Sequence, residues 1–218
     1  MERADSIHQG DIVIAIVDYG MGNLHSIAKA MAHVAPGETI RLTGEPGVLA
    51  EAHRLVLPGV GAMGEAMAEL SRRGLDSALR QLIPQRPTLG VCLGMQLLFE
   101  YSSEHGGAAG LGLLAGQLQR FATPGLAVPH MGWNDVRPLH GEHPLWHGMP
   151  QGALFYFVHS YYLGGSTPTV AALSAHGVPF GSAVLQGTIF AVQFHPEKSG
   201  PAGLRLLQNF VQWQPTFS

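Results

Sequence analysis

Unbroken apolar runs mark the strands expected in the first half of the chain. The first run extends from Ile12 to Val17, and such runs are typical of parallel strands that are buried on both faces of a sheet. Apolar residues at helical spacing follow at positions 24, 27, 31 and 34. The same strand, turn and helix order recurs at 54–70 and 87–100, which predicts a mostly parallel sheet covered by helices.

The pattern changes near residue 116, where short segments separated by turn residues predict strands of an antiparallel extension. Gln186-Gly187 lies between two of these segments and is typical of a hairpin turn. The amphipathic segment from Gly203 to Trp213 predicts a closing helix. We therefore expect an α/β fold with an open, mostly parallel mixed sheet. A single domain is expected over residues 11–218, after an N-terminal extension of residues 1–10.

Composition narrows the class of protein. Charged residues make up 12% of the 218 residues, about half the usual fraction, which indicates extensive burial or a covered surface. A net charge of -3 without a basic block argues against nucleic acid as a partner. One cysteine cannot form an internal disulfide, which fits a reducing compartment. Neither a signal-peptide pattern nor an apolar run of about 18 residues is present, so we expect a cytoplasmic protein without a membrane span.

The single cysteine, Cys92, lies between two glycines at the predicted junction of a strand and a helix. Gly90-x-Cys92-x-Gly94 is the cysteine form of the nucleophile elbow, in which small neighbours leave room for a sharp turn that exposes the nucleophile. The start of a helix also favours a thiolate over a thiol. An ordinary buried thiol is the alternative interpretation.

A cysteine nucleophile needs a base that is oriented by a third group. His195 and Glu197 are two residues apart at the end of a predicted strand, so both side chains can leave on the same face. The alternative is a loop histidine beside a solvated glutamate. Backbone donors for an oxyanion are expected from Leu93 and from the turn at 58–61, although that turn can also be a plain connection between strand and helix.

Two further patterns do not support cofactor sites. The segment 18–25 resembles a dinucleotide fingerprint, but His25 stands where the third glycine belongs. The segment 140–147 is rich in histidine, but Pro144 breaks the helix that a zinc site would need. We expect neither a cofactor nor a metal.

Taken together, "GVCLGMQLL" at 90–98 and "FHPE" at 194–197 resemble the class I, triad-type glutamine amidotransferases. That resemblance implies a flavodoxin-like three-layer fold. Other stretches resemble one branch of the family in which the released ammonia serves to close an imidazole ring in histidine biosynthesis. These stretches are "DYGMGNL" (18–24), "LPGVGA" (57–62), "PHMGWN" (129–134), "FYFVHSYY" (155–162) and "FHPEKSGPAGLRLLQNF" (194–210).

The resemblance implies a glutaminase reaction. Cys92 would attack the side-chain amide of glutamine, His195 would protonate the departing ammonia, and a thioester would remain until water releases glutamate. The oxyanion hole would be formed by Val60 and Leu93. Residues expected near glutamine are Gly59, Gly61, Gln96, Ser160 and Tyr161.

The resemblance also implies a heterodimer with a (β/α)8-barrel cyclase subunit. Residues expected to face this partner are Asn23, Met131, Trp133, Asn134, Tyr156 and Lys198. Lys198 is one of only two lysines and follows the catalytic turn directly, so it can pair across an interface or simply be solvated. Two alternatives stay open: a glutaminase serving anthranilate or guanylate synthesis, and a catalytically silent subunit that gates or scaffolds a partner.

Val60 suggests a means of regulation. A β-branched residue in the turn at 58–61 resists positive φ angles, so we expect the Gly59–Val60 peptide to rest with its N–H turned away from the site. Binding at the partner, with Lys198 and the 129–134 loop as levers, would then complete the oxyanion hole.

Overall fold

The computed structural model describes residues 12–122, 124–165 and 167–215. The predicted N-terminal extension, residues 1–10, lies outside the described residues. None of the helices in these ranges is long and apolar enough to cross a bilayer.

The three predicted units of strand and helix are present in the first half. The strands are β1 (Val13–Val17), β3 (Arg54–Leu57) and β4 (Thr88–Val91), and their helices are α1 (Leu24–Val34), α3 (Met63–Arg72) and α5 (Leu93–Gln96). The sequence pattern missed β2 (Thr39–Thr43), α2 (Pro46–Ala50) and α4 (Leu75–Leu82). Strand β2 lies at the sheet edge and is only partly buried, so it has no unbroken apolar run.

The helix after Cys92 ends earlier than the predicted unit of strand and helix at 87–100. Helix α5 is a single turn, and the chain then enters β5 (Phe99–Ser102), which pairs with a later strand. Every residue from 93 to 99 is buried, so the segment lacks the polar face of a surface helix.

The second half supplies the antiparallel extension. It comprises β6 (Ala108–Ala109), β7 (Leu114–Arg120), β9 (Arg137–Pro138), β11 (Tyr161–Gly164), β12 (Val170–Ala175) and β13 (Pro179–Gln186). Strand β14 (Ile189–Val192) was expected there too, but it pairs parallel to β4 and joins the parallel part of the sheet. A separate two-stranded sheet pairs β8 (His130–Asp135) with β10 (Leu154–His159). The last helix is α6 (Gly200–Gln212), slightly longer at its start than expected.

Two local predictions need correction. Gln186 pairs with Ile189 as the last residue of β13, so the hairpin turn consists of Gly187 and Thr188, one residue later than expected. A positive φ of 56° at Gly187 explains why glycine fits there. The expected loop at 129–134 is mostly strand β8.

The main sheet has twelve strands, with the order β2-β1-β3-β4-β14-β13-β11-β7-β5-β6 along its path, and β12 and β9 paired beside β13. Strands β2, β1, β3, β4 and β14 are parallel to one another. The order agrees with a mostly parallel mixed sheet that continues into antiparallel strands.

Cores lie on both faces of the sheet. Along β1, Ile14 and Ile16 join one buried cluster, whereas the residues on either side of them join the other. This double burial explains why the strand is apolar without alternation.

The parallel strands place the site. Leu57 pairs with Gly90, and Val91 pairs with Val192. The carboxyl ends of β3, β4 and β14 therefore meet at one edge of the sheet, where ligands bind in open α/β sheets. The segments that leave this edge are the turn at 58–61, Cys92 and residues 193–197.

Candidate functional site

Cys92 occupies a sharp, strained turn between β4 and α5. Its φ of 55° and ψ of −110° are rare for a residue with a side chain. A Cβ on Gly90 would lie 3.0 Å from the Gly94 carbonyl oxygen, and a Cβ on Gly94 would overlap the Leu57 carbonyl. Both glycines are therefore needed for the turn, as the elbow pattern predicts.

His195 and Glu197 form a buried pair beside this turn. The imidazole Nδ1–H donates to Glu197 Oε1 over 2.8 Å, and the two side chains are only 2% and 3% exposed. Strand β14 ends at Val192, and residues 196–198 form a 3-10 turn. The pair therefore spans the start of that turn, whereas the sequence predicted that both side chains leave one face at the end of a strand.

The second imidazole nitrogen is free to act on a ligand. His195 Nε2 is buried without a hydrogen-bond partner among the described residues. His195 and Cys92 line the same cavity. Since Nδ1 carries the proton shared with Glu197, Nε2 is the atom that can exchange a proton with the thiol or with a substrate.

Electrostatics favour a charged His195. Burial opposes its ionisation, but the neighbouring Cys92 sulfur and the Glu197 carboxylate outweigh that effect and raise the pKa of the imidazole to about 9. Because α5 has only one turn, the charged imidazole rather than a helix terminus is the main positive group beside the Cys92 sulfur.

Two glutamine side chains, Gln193 and Gln96, form a hydrogen-bonded pair next to the Cys92 sulfur. Gln193 Nε2 lies 3.8 Å from Cys92 Sγ, and Gln193 Oε1 accepts from Gln96 Nε2 over 2.9 Å. Gln96 was expected near glutamine, whereas Gln193 was missed. Gln193 immediately follows the apolar strand β14 and is two residues from His195, a position that could have drawn attention to it.

The cavity that Cys92 lines has a volume of about 270 Å³. Its walls contain the expected residues Val60, Gly61, Leu93, Gln96, Ser160 and Tyr161, together with Cys92 and His195. Glu104, Pro129, Val158 and His159 also line it and were not predicted as site residues. Glu104 is half-buried and accepts the backbone N–H of Met63 over 2.7 Å, so a carboxylate is fixed in the cavity wall. No motif in the sequence distinguishes it from a surface glutamate.

Gly59 is placed differently from the other expected ligand-binding residues. It lines a small adjacent space with Asn23, Val60 and Glu197. Its carbonyl oxygen accepts the N–H of Leu93 over 3.3 Å. In a trans peptide the N–H points opposite to the C=O, so the Val60 N–H points away from Leu93. The two expected oxyanion donors therefore do not converge in this conformation.

The expected partner-facing residues fall into two groups. Met131 and Trp133 are 63% and 57% exposed on one face of β8. Tyr156 lies beside them, 6.2 Å from the Trp133 ring, and the exposed Lys198 ammonium lies 5.9 Å from the Tyr156 ring. These four residues form one surface, which we call the β8 face.

Asn23 and Asn134 are only half exposed. Asn134 points to the opposite side of β8, where its amide donates to the Ala175 carbonyl over 2.9 Å. Asn23 precedes α1 beside the catalytic turn.

No group of three or more His, Cys, Asp or Glu side chains is arranged to hold a metal ion within the described ranges.

Comparison with known proteins gives consistent matches. The family model "Glutamine amidotransferase class-I" matches residues 15–213. The chain is 50% identical over 210 residues to "Imidazole glycerol phosphate synthase subunit HisH" of Methylococcus capsulatus, covering 93% of this chain and 97% of that protein. It is 52% identical over 211 residues to the protein of the same name from Thiobacillus denitrificans, covering 93% and 92%.

A solved structure agrees at the level of fold. The structure of PurLQS from Thermotoga maritima superimposes with a TM-score of 0.67 at 18% identity, covering 93% of this chain and 98% of that one.

Proposed function

The chain belongs to the HisH subunits of imidazole glycerol phosphate synthase, within the class-I glutamine amidotransferases, and on this premise we propose that Cys92, His195 and Glu197 are its catalytic triad. It is thus the glutamine-hydrolysing subunit of a synthase in histidine biosynthesis. The observation that supports the triad best is the buried His195 imidazole. Its Nδ1 is bound to a buried carboxylate, its Nε2 has no hydrogen-bond partner among the residues that the structure describes, and the residue lines the same cavity as Cys92.

The reaction proceeds through a thioester. Cys92 Sγ attacks the side-chain carbonyl carbon of glutamine, and the C–N bond breaks as His195 gives its proton to the departing nitrogen, which leaves as ammonia. Water then attacks the thioester, His195 accepts its proton, and the C–S bond breaks to release glutamate and restore the thiol. Glu197 fixes the tautomer of His195 and stabilises its charged form.

Glutamine is held by the cavity walls. Gln96, Ser160 and Tyr161 supply polar groups along one wall, and the fixed carboxylate of Glu104 suits the positively charged α-amino group of the substrate. Gly61 lets the backbone approach the ligand. Gly59 contributes through its peptide, since it lies outside this cavity.

The resting oxyanion hole is incomplete. The hydrogen bond from Leu93 N–H to the Gly59 carbonyl supports the view that the Gly59–Val60 peptide rests with its N–H turned away. Rotation of this peptide would free the Leu93 donor and add the Val60 donor. Binding of the cyclase substrate at the partner would drive that rotation.

The ammonia passes to a partner. The HisH relatives are named as synthase subunits, and the proposed partner is a (β/α)8-barrel cyclase subunit. That partner converts a phosphoribulosyl-formimino carboxamide ribotide to imidazole glycerol phosphate and an aminoimidazole carboxamide ribotide. The β8 face is the proposed contact surface, because exposed aromatic and Met side chains are enriched at interfaces. Asn23, beside the catalytic turn, is proposed to extend it, whereas Asn134 points to the opposite side of β8. A cytoplasmic location suits the reduced thiol.

Glutamate release tests the function directly. We would measure it for the isolated chain, for the complex with a cyclase subunit, and for that complex with the cyclase substrate bound. Slow release by the first two and fast release by the third is expected. No release in any sample would indicate a silent gating subunit, and fast release that is indifferent to the cyclase would indicate a different synthase.

A further inference from the structure

Three polar side chains form a hydrogen-bonded chain behind the glutamine cavity. His159 Nδ1 lies 2.8 Å from the Tyr161 carbonyl oxygen, and His159 Nε2 lies 3.0 Å from His130 Nδ1. His130 Nε2 lies 3.2 Å from the amide nitrogen of Asn134. We propose that His130 and His159 are positioning residues, which fix the Ser160–Tyr161 wall of the glutamine cavity and connect it to strand β8. This inference rests on the proposed glutaminase function.

The hydrogen bonds among His159, His130 and Asn134 allow only one consistent placement of their protons. The Tyr161 carbonyl can only accept, so His159 Nδ1 carries a proton, and its Nε2 in the neutral ring is an acceptor. His130 Nδ1 must then donate to it, which leaves His130 Nε2 as the acceptor of the Asn134 amide. The remaining Asn134 N–H donates to Ala175, and its oxygen accepts the Asp135 N–H. The amide orientation is therefore fixed at both ends.

The surroundings keep both rings neutral. His130 and His159 are each 6% exposed, and aromatic rings of Phe121, Phe157 and Phe180 lie around them. Burial lowers the pKa of His130 to about 4 and that of His159 to about 3. The other imidazoles that influence these rings are His176, stacked 4.4 Å from His130, and His195, both of which disfavour further positive charge.

One end of this hydrogen-bonded series is the Tyr161 carbonyl oxygen, which also helps to position a residue of the glutamine cavity. The Tyr161 carbonyl also accepts from Gln96 Nε2 over 3.2 Å, and the same nitrogen donates to Gln193, which contacts Cys92. His159 therefore fixes the carbonyl to which Gln96 is anchored. His159 itself lines the cavity.

The other end lies on the strand that presents the proposed partner surface. His130 pairs with His159 in the register of β8 and β10, and Met131 and Trp133 lie on the opposite face of β8. A change in the position of β8 would therefore be transmitted to the glutamine cavity through hydrogen bonds of fixed direction. An apolar pair would pack there as well, but it would not fix an orientation.

Substitutions of His130 in the complex with the cyclase subunit test the proposal. His130→Phe keeps an aromatic ring but removes both hydrogen bonds, so KM for glutamine should rise about tenfold, with a smaller change in kcat. His130→Asn keeps a donor near the position of Nδ1 and should retain most of the wild-type KM. Ammonium-driven synthesis should be unaffected in both variants. His33→Phe, at an exposed position on α1, is the matched control.

The tautomers give a second readout that does not depend on activity. Nitrogen-15 NMR of the wild-type chain should show His130 and His159 as neutral Nδ1–H tautomers at neutral pH. Nε2–H tautomers, or an unchanged KM in a folded His130→Phe complex, would overturn the proposal. If His130→Phe does not fold, the NMR measurement and the KM of His130→Asn still test the proposal. A tenfold rise of KM in His130→Asn would contradict it. Failure of the proposed function would be distinct, because the wild-type complex would then release no glutamate.

Discussion

At the scale of single residues, the site combines a strained nucleophile with a buried, charged base. The backbone of Cys92 has a positive φ of 55°, a conformation that costs of order 1–3 kcal/mol for a residue with a side chain. The surrounding β4, β14 and glycine contacts maintain it. This strained turn places Cys92 in the lining of the same cavity as His195.

Removal of the base should be more damaging than removal of its orienting carboxylate. His195→Ala should lower kcat for glutamine hydrolysis by roughly 10²–10⁴-fold or more, because both proton transfers use this imidazole. Glu197→Gln should cost less, since the base is retained. Steady-state glutamate release would measure both, with His33→Ala as a surface control. Equal losses in the two variants would refute the supporting role of Glu197.

The raised pKa of His195 predicts a basic limb in the pH profile. Its ordinary value is near 6.5 and its value in the fold is about 9, so the protonated form persists through neutral pH and is lost as pH rises through about 9. We expect kcat/KM for glutamine to fall over that range, with an apparent pKa that belongs to the coupled pair. In Glu197→Gln the limb should move to lower pH, because one of the groups that raise the pKa is removed. A limb that stays in place would contradict this electrostatic assignment.

The triad could be proposed from sequence because its residues lie within short motifs. Glu104 could not, because its role comes from a contact with a segment distant in the chain. Gln193 adjoins the His195 motif, but its hydrogen bond with Gln96 depends on a distant segment and is not visible in the sequence. His159 lies in a motif that was quoted, but its ring contacts depend on the pairing of β8 with β10.

At the scale of elements, periodicity predicted the strands buried on both faces and the amphipathic helices α1, α3 and α6, but it missed the amphipathic α4. It missed the partly buried edge strand β2. It also extended α5 beyond its single turn, because the apolar residues after Cys92 are all buried and their pattern does not show where the helix ends. The segment 129–134, treated as a loop in the regulation hypothesis, is mostly β8, although periodicity assigns the residues from Trp133 onward to a strand. Strand β8 belongs to a separate two-stranded sheet, whose pairing is not visible in local sequence.

Gly94 tests the packing of the nucleophile turn. A Cβ at this position would overlap the backbone carbonyl of Leu57, so Gly94→Ala should destabilise the fold by about 1–3 kcal/mol or more. The matched control is Gly64→Ala in α3, where the nearest atom is 3.6 Å away, so it should be neutral or slightly stabilising. Urea unfolding of both variants measures the difference. Similar unfolding midpoints for the two would contradict the close approach at Gly94.

Val60 tests the proposed gate. Val60→Gly should raise the rate of glutamine hydrolysis without the cyclase substrate, by up to roughly 10²–10³-fold, because the turn could then present a second oxyanion donor. Val60→Ile keeps the β-branched side chain and should leave this basal rate low. Glutamate release by the two unstimulated complexes is the measurement. An unchanged basal rate in Val60→Gly would exclude Val60 from the gate.

At the scale of the whole molecule, the parallel strands bring the catalytic segments to one edge of the sheet. The sequence predicted the strand-to-helix turns that follow β3 and β4, which lie at the carboxyl ends of parallel strands. It did not predict that β14 joins them in parallel and brings residues 193–197 to the same edge. From the sequence, Met131, Trp133 and Asn134 were all expected to face the partner. In the structure the side chains of Met131 and Trp133 point outward, whereas that of Asn134 points inward. That division depends on which face of β8 packs against the main sheet.

In the proposed complex one subunit releases ammonia from glutamine and the other uses it, so a single variant can separate the two activities. Cys92→Ser would be assayed in the reconstituted complex for imidazole glycerol phosphate synthesis, once with glutamine and once with an ammonium salt. We expect glutamine-driven synthesis to fall to background while ammonium-driven synthesis stays at the wild-type level, because the thiol serves only glutamine hydrolysis. Persistence of glutamine-driven synthesis, or loss of both activities in an intact complex, would contradict the account.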